Sequence, residues 1–206
     1  VEKEELNESL YAKAHYRVRV MEKLPTEMLE EEHHFIQKVV GAIAVLAEKL
    51  ETSQEVEKEI LRNIVDFMRT FADKDHHGKE ETHLFPILEK KGAPIHGCPL
   101  GILTAEHQKG RALVTGLAAA AEAYARDGPS AKKPLLENLR GLTGLYPDHI
   151  WKEDWLLFPM TNKMLSAKEQ KKLHEKFETV EKTIGLDAHH RYEQLAEQLE
   201  KWAQEP

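Results

Sequence analysis

Apolar residues recur along most of this chain at intervals of three and four, the spacing of one helix face, and the strict alternation of a half-buried strand is absent. A first helix is expected over about Glu4 to Lys23, stopping at Leu24-Pro25. A second runs from about Thr26 to Leu50 with Ile36, Val40, Ile43 and Ala47 on one stripe. Thr52 and Glu55 have the spacing of a capping box, opening a long helix through Val65, Met68 and Ala72 to about Lys90. The stretch Lys91 to Pro99 holds two Gly and two Pro and reads as a loop. Another helix follows from about Leu100 to Arg126 and ends at Gly128-Pro129; Ser130 then opens one reaching about Met164. Ser166 with Glu169 caps a shorter helix that ends near Gly185, and Asp187 caps the last, to about Trp202. The four central helices each exceed about twenty residues and have short connections, which predicts an all-α, antiparallel up-down four-helix bundle. The expected core spans 26–164 of a single 206-residue domain, with an N-terminal helix in 1–25 and a helical extension over 165–206.

Composition narrows the functional classes. Hydrophobic content of 41% and charged content of 32% fit a globular helical protein rather than a disordered chain. The net charge of −7 is made of interspersed signs, so no nucleic-acid surface is expected. No apolar run approaches the roughly 18–20 residues of a spanning helix, so no membrane partner is expected, and the opening VEKEELNESLYAK lacks a signal pattern. The single cysteine, Cys98, precludes an internal disulfide and suits a reducing cytoplasm. Histidine stands out, at 12 residues against five Tyr and three Trp.

Much of that histidine lies in a repeat. His76-His77-Gly78-Lys79-Glu80-Glu81-Thr82-His83-Leu84-Phe85-Pro86 parallels His149-Ile150-Trp151-Lys152-Glu153-Asp154-Trp155-Leu156-Leu157-Phe158-Pro159. In the preceding helices, Glu32-His33 parallels Glu106-His107. His33 to His107 is 74 residues, while His76 to His149 and Glu80 to Glu153 are each 73. The chain therefore carries a duplicated helix pair, each half giving one His and one His-x-x-x-Glu. Positions i and i+4 share a helix face, so such a His and Glu can point at one ion. Imidazole suits iron as a borderline ligand, and a carboxylate can bridge two ions.

Where histidines are adjacent, α-helical faces select among them. His33 lines up with Ile36, Val40 and Ile43, and His76 with Val65, Met68, Ala72 and Leu84. His34 lies with Gln37 and Lys38, and His77 with Asp66, Thr70 and Lys74, so both are expected to face polar surroundings. His107 shares a face with Leu103, Gly110 and Val114, and His149 falls among Leu142, Leu145, Leu156 and Met160. One core histidine would ordinarily be satisfied by a hydrogen bond. Four, with two carboxylates in a low-dielectric interior, are costly to hold together unless a cation intervenes. Glu81 and Asp154, a further ~100° around their helices, are expected to matter little.

In these motifs the chain resembles the hemerythrin HHE cation-binding family over about Met28 to Met164, and most closely its bacterial branch with four His and two Glu. That branch includes proteins that repair iron–sulfur clusters after nitrosative or oxidative stress. The resemblance implies two non-haem iron ions, one bound by His33 and His76, the other by His107 and His149. Glu80 and Glu153 would bridge them, with an oxo or hydroxo group completing the centre. Oxygen-carrying members have a further His one turn after the third-helix ligand, where this chain has Arg111, and they end in His-x4-Asp, where it has both Glu153 and Asp154. The repeat favours Glu153.

The expected function is a di-iron protein that binds or reacts with oxygen, peroxide or nitric oxide in stress response or sensing. An iron store or donor to damaged iron centres, and a structural zinc or manganese site, are the alternatives. Outside the motif, His83 reads as exposed or as a neighbour of the ligands, and His96 with Cys98 as part of a flexible loop. His189 and His190 read as decoration of a terminal helix. Tyr146, one turn before His149, reads as a core aromatic able to hydrogen-bond into the site. Pro86, Pro147 and Pro159 are expected to bend their helices.

Overall fold

The computed structural model describes residues 23–52, 56–93, 99–185 and 187–205. The helix expected over about Glu4 to Lys23 lies outside them but for its last residue, as do Glu55 of the expected capping box, His96 and Cys98. The described residues are helical, with no strand among them.

Helix α1 is Pro25–Glu51, started by a proline in its first turn and by the Leu24 N–H donating to the Glu27 carboxylate at 2.7 Å. Its end differs from the expected arrangement. The Thr52 hydroxyl bonds backwards to the carbonyls of Glu48 and Lys49, both at 3.1 Å, so Thr52 closes α1 rather than opening its successor. Helix α2 spans 58–90 and changes pitch along its length: α over Lys58–Phe67, π over Met68–His77 and Glu80–Leu84, then α over Phe85–Lys90. Helix α3 is Pro99–Asp127. A 3₁₀ turn, Gly128–Ala131, follows it, with Gly128 at φ 63°, so the next helix opens at Lys132 rather than at Ser130. Helix α4 spans 132–164, with Glu153–Leu157 in the π form between Lys132–Lys152 and Phe158–Met164. Pro147 lies inside the regular part of α4. Helices α5 (Ala167–Ile184) and α6 (Ala188–Gln204) complete the chain. The Ser166–Glu169 capping box opens α5, and Gly185, at φ 117°, ends it.

The π turns stand at corresponding places of the repeat, and prolines give a reason. Phe85 and Phe158 N–H groups donate to the carbonyls five residues back, of Glu80 and Glu153. The next residue in each case, Pro86 or Pro159, has no N–H, and its ring would crowd the preceding turn of a regular α-helix. A wider turn absorbs both problems. It also inserts about one extra residue into the helical period, which moves the buried face along. Leu157 and Phe158 are fully buried, whereas Leu156, placed on the core stripe by α-helical spacing, is 46% exposed.

Helices α1 to α4 pack mainly α3 on α4, α1 on α4 and α2 on α3. Their core includes Ile36, Val39, Ile43, Leu46, Ile64, Phe67, Phe71, Leu117, Leu139 and Leu142. Helix α6 packs on α1 and sends Tyr192, Ala196 and Leu199 into the same core, where the Tyr192 ring meets Phe67 edge-on at 6.1 Å. Helix α5 adds Leu173 and Phe177 to a second apolar cluster with Leu84, Leu88, Leu103 and Phe158. Both therefore cover the part of the protein that carries the repeat. Leu199→Ala is expected to lower the stability of the whole chain by about 2–5 kcal/mol, read as one shifted transition in urea unfolding. An unchanged midpoint would show that α6 is dispensable to the core.

Candidate metal centre

The repeat converges on one buried place. His33 from α1, His76 and Glu80 from α2, His107 from α3, and His149 and Glu153 from α4 are each no more than 3% exposed. The Nε2 atoms of His33 and His76 are 3.0 Å apart. Glu153 Oε2 is 3.1 Å from His33 Nε2, and its Oε1 is 3.2 Å from His149 Nε2 and 3.6 Å from His107 Nε2. Glu80 Oε2 is 3.4 Å from His107 Nε2 and 3.8 Å from His76 Nε2. Glu153 thus reaches both ends of the cluster, and Glu80 spans from His76 to His107.

Behind each imidazole stands a carboxylate. His76 Nδ1 meets Glu32 at 2.9 Å and His149 Nδ1 meets Glu106 at 3.0 Å, each from the helix that carries the other His of its half. His33 Nδ1 meets Asp154 at 2.6 Å and His107 Nδ1 meets Glu81 at 2.7 Å, each reaching into the opposite half. A carboxylate at Nδ1 makes that nitrogen the donor and turns the four Nε2 atoms inward. Glu81 and Asp154, expected from sequence to matter little, are the groups that orient His107 and His33. Lysines complete the pattern: Lys79 pairs with Glu32 and Lys152 with Glu106. Lys79 is fully buried and also meets Asp75 at 3.0 Å and Glu181 of α5 at 2.8 Å.

The phenylalanines of the two Leu-Phe-Pro motifs have matching roles. Phe158 stacks on His33 at 5.5 Å and Phe85 on His107 at 5.7 Å, fixing ring planes that a hydrogen bond alone would leave free to tilt.

The donor set fits cations. Both carboxylate oxygens of Glu80 and of Glu153, and Nε2 of His107 and His149, are buried without a hydrogen-bond partner. Buried polar atoms are almost always paired, so six orphans within one cluster call for positive charge among them. Electrostatics agree. Burial and the adjacent Glu153 push the Glu80 carboxyl well above the ordinary carboxylate range. Burial would raise Glu153 too, but the imidazoles of His149, His107 and His33 outweigh it and hold that carboxyl well below. Burial alone would depress His33, yet Asp154 and Glu153 push it up to about 9. Glu32, despite its burial, is held down to about 2 by Lys79 and His76. Groups of His33–His76–Glu153 and of Glu80–His107–Glu153 each bring ligand atoms within 4.8 Å of one another.

One residue was placed wrongly by α-helical spacing. His77, expected among polar residues, is 3% exposed, and its ligand atoms come within 4.8 Å of those of His107 and His149. The ten-residue π segment Met68–His77 shifts the helical period, so that both His76 and His77 turn inward. His34 is exposed, as the stripe implied. His83 is half-buried outside the cluster, and His190 is exposed. His189 does more than decorate α6: its Nδ1 lies 3.1 Å from buried Asp75, and although burial opposes its charge, Asp75 and Glu193 push it up to about 10. Tyr146 is buried, with its ring 6.1 Å from that of His149. Burial, together with Asp73 and Glu153, pushes its phenol up, which keeps it a proton donor.

Comparison with known proteins agrees with this chemistry. The chain is 27% identical over 156 residues to uncharacterized proteins of Mycobacterium tuberculosis (strain ATCC 25618 / H37Rv) and Mycobacterium bovis (strain ATCC BAA-935 / AF2122/97), covering 75% of this chain. It spans 60% of the length of those relatives. No solved structure matches. The model of the hemerythrin HHE cation-binding domain matches residues 24–161, which takes in every residue of the buried cluster, and the chain belongs to that family.

Proposed function

We propose that the chain is a non-haem di-iron protein. In this reading α1 to α4 form an antiparallel up-down bundle, His33 and His76 hold one iron, His107 and His149 hold the other, and Glu80 and Glu153 bridge them. The observation that carries the proposal is the convergence of unpartnered Nε2 and carboxylate oxygens, with a carboxylate fixing each of the four Nδ1 atoms. Such an Nδ1 contact sets the tautomer and ring orientation and raises the basicity of the ligating nitrogen. Carboxylates and imidazoles projecting inward from facing helices are how helical bundles hold a pair of metal ions.

When bound, a pair of iron ions supplies one- and two-electron chemistry toward dioxygen, peroxide or nitric oxide, and a role in stress response or sensing follows from that reactivity. The residues of the chain supply the setting. Phe85, Phe158, Leu103 and Leu157 exclude water and favour small, weakly polar ligands. Tyr146 offers a buried hydroxyl one turn from His149, a donor that burial keeps protonated. Lys79 and Lys152 offset the negative charge of Glu32 and Glu106, so those carboxylates stay ionised and keep hold of His76 and His149.

Protein purified without added metal is expected to hold about two iron atoms per chain, and the oxidised form to absorb in the near ultraviolet as a coupled ferric pair. One ion per chain, or zinc alone, would contradict the proposal. Retention of both ions against a weak chelator separates a reactive centre from an iron donor, which would give them up.

The carboxylates have distinct expected effects. Asp154→Ala and Glu81→Ala should weaken iron binding about 10- to 100-fold, as removal of a group behind a metal-bound imidazole does, while saturating iron still loads both positions. Glu153→Ala should abolish the coupled pair at any iron concentration. Iron titration with Mössbauer spectra decides between them: native affinity in Asp154→Ala would contradict the orienting role, and a coupled pair surviving in Glu153→Ala would contradict bridging.

A further inference from the structure

His77 is absent from the ligand set that the repeat implies, yet both of its ring nitrogens are buried without a partner beside the centre. The residue is 3% exposed. Its nearest carboxylate, Asp73, lies 3.5 Å from Nδ1 and is taken instead by the Arg111 guanidinium at 2.7 Å. A neutral imidazole has one donor and one acceptor nitrogen, and burying both without partners costs the full desolvation of each. The ring lies parallel to His107 with centroids 3.8 Å apart and edge-on to His149 at 5.6 Å. Ligand atoms of the three histidines fall within 4.8 Å of one another, as do those of His33, His76 and Glu153 at the other end.

The repeat supplies an internal control. Its 73-residue offset puts Ile150 at the position equivalent to His77, and Ile150 is 2% exposed. An aliphatic side chain therefore fills this position in one half, and filling space does not account for a histidine in the other. Arg111, one turn after His107 in α3, faces outward to Asp73 at 2.7 Å and to Glu81 at 3.0 Å. Glu81 is the carboxylate that orients His107. The α3 position thus serves as a support, while α2, through its π segment, presents an additional imidazole to the same end of the cluster.

We propose that His77 is a fifth imidazole ligand which, with His107 and His149, makes one metal position three-histidine while His33 and His76 leave the other two-histidine. The proposal rests on the reading of this cluster as a two-metal centre. It makes the two positions chemically unequal despite the near-symmetric repeat.

Cobalt(II) is a suitable probe, because each coordinated imidazole N–H gives a hyperfine-shifted proton resonance. Metal-free protein carrying nitrogen-15-labelled histidine is titrated to saturation with cobalt(II). The wild type is expected to bind two ions and to show five such resonances. His77→Gln should show four and bind one of its two ions at least about tenfold more weakly, while exposed His34→Gln matches the wild type. Two bound ions with only four resonances in the wild type would overturn the proposal and leave the two-metal reading intact; so would wild-type affinity in a folded His77→Gln. A wild type that binds no stoichiometric cobalt would overturn both. The wild-type resonance count does not depend on the variant folding.

Discussion

Two carboxylates, Glu80 and Glu153, lie fully buried and close together among imidazoles whose Nε2 atoms face them, and this concentration of ligand atoms is the constraint around which the protein is organised. In a low-dielectric interior two such carboxylates cannot both ionise without a cation near them. The opposite displacements of their proton affinities express that frustration. Removing the polar groups would relieve it, and an apolar core would be the more stable solution. That the chain keeps them, and surrounds them with ordered support, is the mark of a site built for metal.

The support is layered. Carboxylates hold the Nδ1 atoms of four imidazoles, and lysines hold two of those carboxylates. The first half of the repeat is further enclosed by the terminal helices, with Glu181 of α5 on Lys79 and His189 of α6 on Asp75. Among the described residues Lys152, the counterpart of Lys79, pairs only with Glu106 and Asp148 and remains partly exposed. The asymmetry of the outer layer thus falls on the same helix as the asymmetry of His77.

The long helices of the described residues and the paired His and His-x-x-x-Glu motifs were legible in the sequence because each is a matter of spacing along one chain. The inward orientation of His33, His107 and His149 followed from α-helical stripes for the same reason. His77 and Leu156 were misplaced because those stripes assume one period throughout, and π turns break it at Met68–His77 and Glu153–Leu157. The prolines of Leu-Phe-Pro hinted at irregular turns without saying which residues would rotate. The roles of Asp154 and Glu81 were hidden more deeply: each acts on an imidazole from the other half of the repeat, and a pairing across halves leaves no spacing to read. His189 and Glu181 reach the centre's outer layer only through tertiary packing.

Two ions are expected within this one buried cluster, held from different helices. Crystals of the iron-loaded protein, measured on either side of the iron absorption edge, test it most directly. Two anomalous peaks are predicted, one against His33 and His76 and the other against His107 and His149, with Glu80 and Glu153 between them. A single peak, or iron density elsewhere on the chain, would contradict it.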